Sequence, residues 1–384
     1  MTDARPTIAH VLHWLKLAGA EVLAADLARR LEERYRFVFL CLDDVGPLGE
    51  QLRDDGFVVE HLRRKPGIDM TVAAGIHDAV KRHDVDLLHA HQYTPFFYAA
   101  ASRRLGATPP LIFTEHGRHY PDRRSIKRVV ANRLLLRRRD RVTAVGEFVR
   151  QALTANEGIK AKRIEVIHNG IDPQQFAVDG QAEARSRVRR ELGLADNQPV
   201  ALQVARFHPV KDHATAVRAM AHAVQSLPDA VLLLAGEGDD QPKIELLANE
   251  LGIADHVRFL GLRRDVPDLM AAADVFVLSS LSEGISVTLL EAMGCARAIA
   301  ATDVGGNSEV VAHGTTGLLS PRGDATALGE NLLRLLRDGA LRTEMGAAGR
   351  RRLLEMFTQQ RMHDAYAALY ERMLTHSDRE NGQG

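Results

Sequence analysis

Residues 275–294 read VFVLSSLSEGISVTLLEAMG. Val275–Leu278 is a short, unbroken apolar run rich in β-branched side chains, the pattern of a strand buried on both faces of a parallel sheet. A loop of serine, glutamate and glycine follows, and from Ser286 to Met293 the sequence reads as helix. Strand, loop and helix in this order form half of a β-α-β unit.

The same alternation extends in both directions. Upstream the expected strands are Ile8–Leu12, Phe37–Leu42, Leu87–His89, Leu111–Thr114, Arg141–Val145 and Ile164–Ile167. Leu23, Leu27 and Leu31 recur every four residues and mark the apolar face of an intervening helix. A polar stretch with proline at 173 reads as a connector. Alternation then restarts with Val200–Val204, Val231–Ala235, Val257–Leu260, Val275–Leu278 and Ala298–Ala301. The expectation is an α/β chain of two Rossmann-like, doubly wound parallel-sheet domains facing an interdomain cleft. Residues 1–172 form the first domain, 173–198 the linker and 199–355 the second domain, while 377–384 form a disordered tail without an apolar anchor.

A chain of 384 residues suits two domains, and 50 Lys+Arg against 50 Asp+Glu favours neither a nucleic-acid coat nor an acidic tail. Cys41 and Cys295 lie in separate apolar runs, which reads as buried thiols in a reducing compartment and not as a disulfide framework. MTDARPTIAHVLHWL lacks the form of a signal peptide, and no run approaches the roughly 18 apolar residues of a span. The expected location is the cytoplasm, with peripheral attachment to the inner face of the cell membrane open. Arg123, Arg124, Lys127, Arg128, Arg133 and Arg137–Arg139 make Arg123–Arg141 a basic amphipathic element, read either as a solvated helix face or as a hold on an anionic membrane surface. Nucleic acid is not expected, because aromatic residues do not interleave with these charges.

Ligands of such sheets bind beyond the carboxyl ends of the strands. After Val200–Val204 come Arg206 and Lys211, two cations before a helix start, suited to phosphate or simply solvated. Gly236-Glu237-Gly238 follows the next strand and is either a plain turn or a site of close backbone approach. Glu283 would stand at the N-terminus of its helix with Glu291 two turns inside, as hydroxyl acceptors for a sugar and a ribose or as a cap and an exposed glutamate. In the first half, Gly19 allows a ligand to approach the head of a helix, and His116 at a strand end is placed to donate a hydrogen bond or to serve structure alone. His89, His91, His116 and His119 open a metal reading, but their spacing is not diagnostic and no metal is expected. Asp84-Val85-Asp86 precedes its strand and reads as a solvated turn at the wrong edge of the sheet.

Taken together, these positions resemble the retaining glycosyltransferases of the GT-B fold, in the large family-four group that builds bacterial surface polysaccharides and glycolipids. The resemblance spans nearly the whole chain and is most specific in Glu283–Met293 and Arg206–Lys211, with support from Val166–Asp172 and Gly305–Glu309. It implies that Glu283 holds donor-sugar hydroxyls, that Gly284, Ile285, Ser286, Val287 and Thr288 lie along the sugar and diphosphate, and that Glu291 takes the ribose. Arg206 and Lys211 would neutralise the departing diphosphate, and the Leu262-Arg263 backbone would flank the base. Gly19 would line the donor phosphate and acceptor side, and His116 would point at the reacting sugar. It also implies that a C-terminal helix, residues 356–376, returns to the first, acceptor-side domain.

The same resemblance implies a metal-independent, cofactor-free hexosyltransferase. Its donor would be a UDP- or GDP-linked hexose or N-acetylhexosamine, and its acceptor a glycan or lipid-linked molecule. Ala18, Ser286, Ala296 and Ala298 stand where relatives often carry glycine or proline, and His168 where proline is common. The alternatives are a UDP-sugar epimerase of the same fold, a non-catalytic sugar-binding homologue and a nicotinamide-dependent oxidoreductase. The last lacks its glycine-rich turn after the first strand.

Overall fold

The computed structural model describes residues 5–16, 19–106, 108–118, 122–176 and 180–381. The chain divides into two compact units: one runs to His168 and resumes at Met362, and the other is Asn169–Arg361.

The first unit holds β1 (Thr7–Leu12), β2 (Arg36–Cys41), β3 (Val58–His61), β4 (Val85–His91), β5 (Leu111–Glu115), β6 (Arg141–Ala144) and β7 (Ile164–Val166). They form one sheet in the order β3-β2-β1-β4-β5-β6-β7, with every pair parallel. The second unit holds β8 (Val200–Val204), β9 (Val231–Ala235), β10 (Val257–Phe259), β11 (Val275–Leu278), β12 (Ala298–Thr302) and β13 (Gly317–Ser320), ordered β10-β9-β8-β11-β12-β13 and again all parallel. Each sheet therefore reverses its winding once, between β1 and β4 in the first and between β8 and β11 in the second. The crevice beyond the carboxyl ends of the strands at such a switch point is where open α/β sheets take ligands.

Central strands such as Val275–Leu278 and Val231–Ala235 are buried along their whole length, since helices cover both faces. In the first unit Leu23, Leu27 and Leu31 of the helix Gly19–Leu31 pack on Ile8, Leu12 and Phe39. Full burial of each such side chain contributes roughly 1.5–3 kcal/mol. The strands that the sequence does not reveal, β3 and β13, are edge strands whose four residues, VVEH and GLLS, carry only two apolar side chains each, fewer than the runs that mark the other edge strands.

Two expectations about the chain's ends and joints change. Residues 173–198 are not a bare linker: the helix Gln181–Glu191 lies within them and belongs to the second unit. It is very polar, yet Arg189 is fully buried, donating to the carbonyls of Ala272, Ala195, Asp196 and Gln198 and pairing with Asp274 at 3.0 Å. An arginine anchor of this kind carries no hydrophobic signature. At the other end the helix Gln359–Asn381 continues through most of the expected tail, because extension past the last core contact adds a backbone hydrogen bond per residue. Met362, Tyr366, Leu369, Tyr370 and Met373 of this helix lie in the core of the first unit.

Candidate active site

At the switch point of the second sheet, the loops after β8 and β11 are tied by one ion pair. Lys211 Nζ lies 2.6 Å from Glu283 Oε1, and Ser280 Oγ donates to the same oxygen at 2.5 Å. Ser280 is fully buried, and its own carbonyl accepts from Thr302 Oγ1 at 2.7 Å. With Oε1 occupied twice, Glu283 Oε2 takes no hydrogen bond from the described residues. Arg206, in the same β8 loop, is exposed, and no partner for its guanidinium is found among the described residues.

Two local expectations are corrected here. The helix after β8, His213–Val224, does not present an open N-terminus to an anion. Asp212, at φ +46°, caps it, accepting from Thr215 N at 3.3 Å and Thr215 Oγ1 at 2.6 Å. The helix after β11 starts later than expected, at Val287, with Ser286 as its N-cap residue and no side-chain cap. Its first N–H groups are therefore the uncapped donors of the site. Glu283 consequently stands in the loop ahead of the helix, not at its first position. Glu291 lies just past the first turn, not two turns in, and is partly buried, with loss of hydration pushing its carboxyl up to about 7. Glu283 is thus no helix cap, and Glu291 no exposed helical glutamate. Ser286 is buried, its Oγ 3.1 Å from Thr288 Oγ1, and Gly284 and Ile285 are buried beside it.

The glycines of this region serve the protein's own backbone. A Cβ on Gly305 would lie 2.0 Å from the Glu283 carbonyl oxygen, and one on Gly306 2.0 Å from that of Gly284. The later glycine loop thus packs directly beneath the Glu283 loop. Likewise a Cβ on Gly236 would meet the Ala205 carbonyl oxygen at 2.1 Å, and one on Gly238 that of Phe207 at 2.3 Å. The close approach allowed by Gly236-Glu237-Gly238 is therefore to the Arg206 loop. Leu262 is 64% exposed after β10, while the Arg263 guanidinium is held by Asp265 and Glu191.

In the first unit, Gly19 opens the helix Gly19–Leu31 with nothing within 4 Å of where a Cβ would be. His116 follows β5 and is partly exposed, its Nε2 2.9 Å from His91 Nδ1. His91 Nε2 is in turn 2.8 Å from His10 Nδ1, a residue to which the sequence gives no functional signal. His89 pairs with Tyr370 Oη and Thr114 Oγ1, each at 2.7 Å. The nitrogens of His10, His89 and His91 lie within 4.8 Å of one another. Two nitrogens on one tetrahedral ion with bonds of about 2.0–2.1 Å would sit roughly 3.3 Å apart. The 2.8 Å contact is instead a hydrogen bond, and both His89 nitrogens are taken. His119 falls outside the described residues, as does Ala18. Asp86 lies inside β4 at its amino end and accepts from Thr7 N at 2.8 Å, so it pins β1 at the edge opposite the site.

The loop that carries His116 is anchored by Arg118, which reaches Asp122 and Glu157 at 2.8 Å each. Beyond it the basic segment is not one helix. The helix spans Ile126–Leu135 only; Arg137–Arg139 follow it in a turn, and Arg141 begins β6. A helix this short can anchor only one face, and it does so through Asn132 and Arg128, which reach Glu157. Ile126, Val130 and Leu134 point outward, 75%, 52% and 74% exposed. At roughly 100° per residue, exposed Lys127 and Arg133 fall on either side of that stripe.

Residues 17–175 match the family described as Glycosyltransferase Family 4, and residues 184–352 the one described as Glycosyl transferases group 1. The N-acetyl-alpha-D-glucosaminyl L-malate synthase of Bacillus anthracis is 30% identical over 83% of this chain and 82% of its own length. The Escherichia coli UDP-Gal:alpha-D-GlcNAc-diphosphoundecaprenol alpha-1,3-galactosyltransferase is 25% identical over 88% and 90%. Anabaena HepE, solved in complex with UDP, shares 23% identity and superposes with a TM-score of 0.84 over 95% of this chain and 100% of its own. Two doubly wound parallel sheets with these likenesses define a glycosyltransferase of the GT-B fold. Within that class, the chain belongs to glycosyltransferase family 4.

Proposed function

We propose that this glycosyltransferase moves a hexose or N-acetylhexosamine from a UDP- or GDP-linked donor to a glycan or lipid-linked acceptor with retention of configuration, in cell-surface polysaccharide or glycolipid synthesis. The observation that carries the reading is the Lys211–Glu283 pair at the switch point of the second sheet, beside an exposed Arg206 and an uncapped helix N-terminus. UDP in the HepE complex and UDP-Gal in the name of the Escherichia coli enzyme support a nucleotide-sugar donor.

In the proposed step, the bond from the sugar's anomeric carbon to the diphosphate breaks, and the acceptor oxygen forms its bond to that carbon on the same face. The acceptor's proton passes to the departing phosphate oxygen, so no protein nucleophile is consumed. Negative charge grows on the leaving group. Arg206, Lys211 and the N–H groups at Val287 and Thr288 meet it as fixed positive charge and dipoles, which is why no metal ion or cofactor is assigned. Glu283, anchored through Oε1, offers Oε2 to sugar hydroxyls, and Glu291 accepts from the ribose. Leu262 and Arg263 flank the base with their backbone, while Gly19 and His116 serve the phosphate, acceptor and sugar.

The segment around Ile126–Leu135 is assigned to an anionic membrane surface, where an outward apolar stripe flanked by cations suits acyl chains and head groups. No helix among the described residues is long and apolar enough to cross a membrane. Attachment would therefore be peripheral, on the cytoplasmic side where donor nucleotides reside.

Thermal-shift measurements against UDP- and GDP-sugars test the function directly, because a ligand at about 100 times its Kd stabilises the fold by ~2.7 kcal/mol. A melting rise with one nucleotide class is expected; no rise with any nucleotide sugar would overturn the assignment.

A further inference from the structure

We propose that His91, backed by His10, is a positioning residue that locks His116 as its Nδ1–H tautomer. This rests on the glycosyltransferase reading only for the role of His116, not for the lock itself. Three imidazoles form one hydrogen-bonded line, His10 Nδ1 to His91 Nε2 at 2.8 Å and His91 Nδ1 to His116 Nε2 at 2.9 Å. Burial holds all three neutral, lowering His10 to about 3 and His116 to about 4 and His91 well below its ordinary value. Each ring then carries one N–H and one lone pair, so the whole line points one way or the other.

The inner end decides which way. His10 is 0% exposed, and its Nε2 has no hydrogen-bond partner among the described residues. Its ring lies nearly parallel to Phe37 and Phe39, at 20° and 17°, so an in-plane N–H cannot aim at either aromatic face. Were the line to run inward, an N–H would be stranded in this apolar pocket, and buried N–H groups are the orphans that folded proteins avoid most. Running outward, the orphan is only a lone pair. His10 Nδ1–H then donates to His91, His91 Nδ1–H donates to His116 Nε2, and the His116 proton resides on Nδ1.

His89 does not compete, since Tyr370 and Thr114 take both its nitrogens. It stacks on His91 with ring centroids 4.2 Å apart and holds that ring in place. The consequence for chemistry is specific. His116 offers a hydrogen-bond donor from Nδ1 to a sugar oxygen and is not set up as a general base there. Reversing its tautomer would require reversing the line down to His10.

Imidazole nitrogen–proton correlation spectra of the 15N-labelled full-length protein, without ligand, test the lock. His116 should show a protonated Nδ1 and a bare Nε2. In His91→Phe it should revert to the Nε2–H form that free histidine prefers, with kcat falling about tenfold or more, short of the ~10²–10³ for losing a donor outright, and donor KM little changed. His91→Gln, whose amide can still donate to Nε2, should restore part of both the tautomer and kcat. A wild-type His116 protonated at Nε2 overturns the lock whatever becomes of the variants, as does a His91→Phe protein whose His116 tautomer is unaltered. Loss of the glycosyltransferase reading would register in the donor thermal shifts and leave this spectrum unaffected.

Discussion

Lys211 Nζ and Glu283 Oε1 lie 2.6 Å apart, joining loops that follow β8 and β11 across the switch point of the second sheet. The ammonium neutralises a carboxylate whose side chain is only 10% exposed, and in doing so orients the remaining oxygen. Lys211→Ala should cost about 1–3 kcal/mol of stability by leaving that carboxylate unpaired, whereas Glu283→Gln should cost less because the amide oxygen still accepts. Both should lower kcat by roughly 10²–10³. Arg206→Ala should match that catalytic loss with an unchanged melting temperature, since the guanidinium has no partner to lose among the described residues. Paired melting and turnover measurements separate the three. Near-normal turnover in all of them would remove the site from this loop pair.

Glu291 gives the site a pH signature. Its carboxyl is raised from 4.5 to about 7, so the fold favours the neutral acid. The resulting penalty is absent below the unfolded value, grows as pH rises through this interval and is constant above it. Glu291→Gln should therefore melt higher than the parent at about pH 8 and no higher at about pH 4. Ribose hydroxyls that donate to the carboxylate favour its ionised form, so donor binding should release a proton near pH 6 and tighten as pH rises. Calorimetry in two buffers of different ionisation enthalpy reads that proton, and proton-neutral binding would remove Glu291 from the ribose contact.

Ala296 occupies a turn at φ +52°, where a side chain is strained and glycine is not. Its carbonyl leaves no room on the facing helix, as a Cβ on Gly346 would lie 2.0 Å from that oxygen. Ala296→Gly relieves about 1–2 kcal/mol of left-handed strain and gives back about 0.4–1 kcal/mol in unfolded-chain entropy. The expected result is a small rise in melting temperature with turnover unaffected; a fall would contradict the backbone geometry.

The exposed stripe Ile126, Val130 and Leu134 predicts membrane behaviour. Ile126→Asp with Leu134→Asp should abolish co-sedimentation with phosphatidylglycerol vesicles while leaving donor binding intact. Lys127→Glu with Arg133→Glu should weaken it by about 1 kcal/mol or more per charge and reduce its salt dependence. Equal binding to neutral vesicles by the parent protein would exclude electrostatic recognition.

Sequence by itself determined the alternation of strands and helices, because strands buried on both faces must be apolar along their length, as in Val275–Leu278. It also placed Arg206, Lys211 and Glu283 just after strands, where parallel sheets hold ligands. It did not reveal β3 and β13, which carry only two apolar side chains each, or the buried anchor Arg189, whose partners are carbonyls and the Asp274 carboxylate. Only the tertiary structure decided that Lys211 meets Glu283, that Asp212 and not a ligand closes the helix after β8, and that the helix after β11 is left open. It alone brought His10 to His91, 81 positions away, and so to His116. The physical reason is common to all of these. Hydrophobic pattern is written locally and read one segment at a time, whereas hydrogen-bond direction depends on strand order and register, which place side chains far apart in the chain within 3 Å of each other.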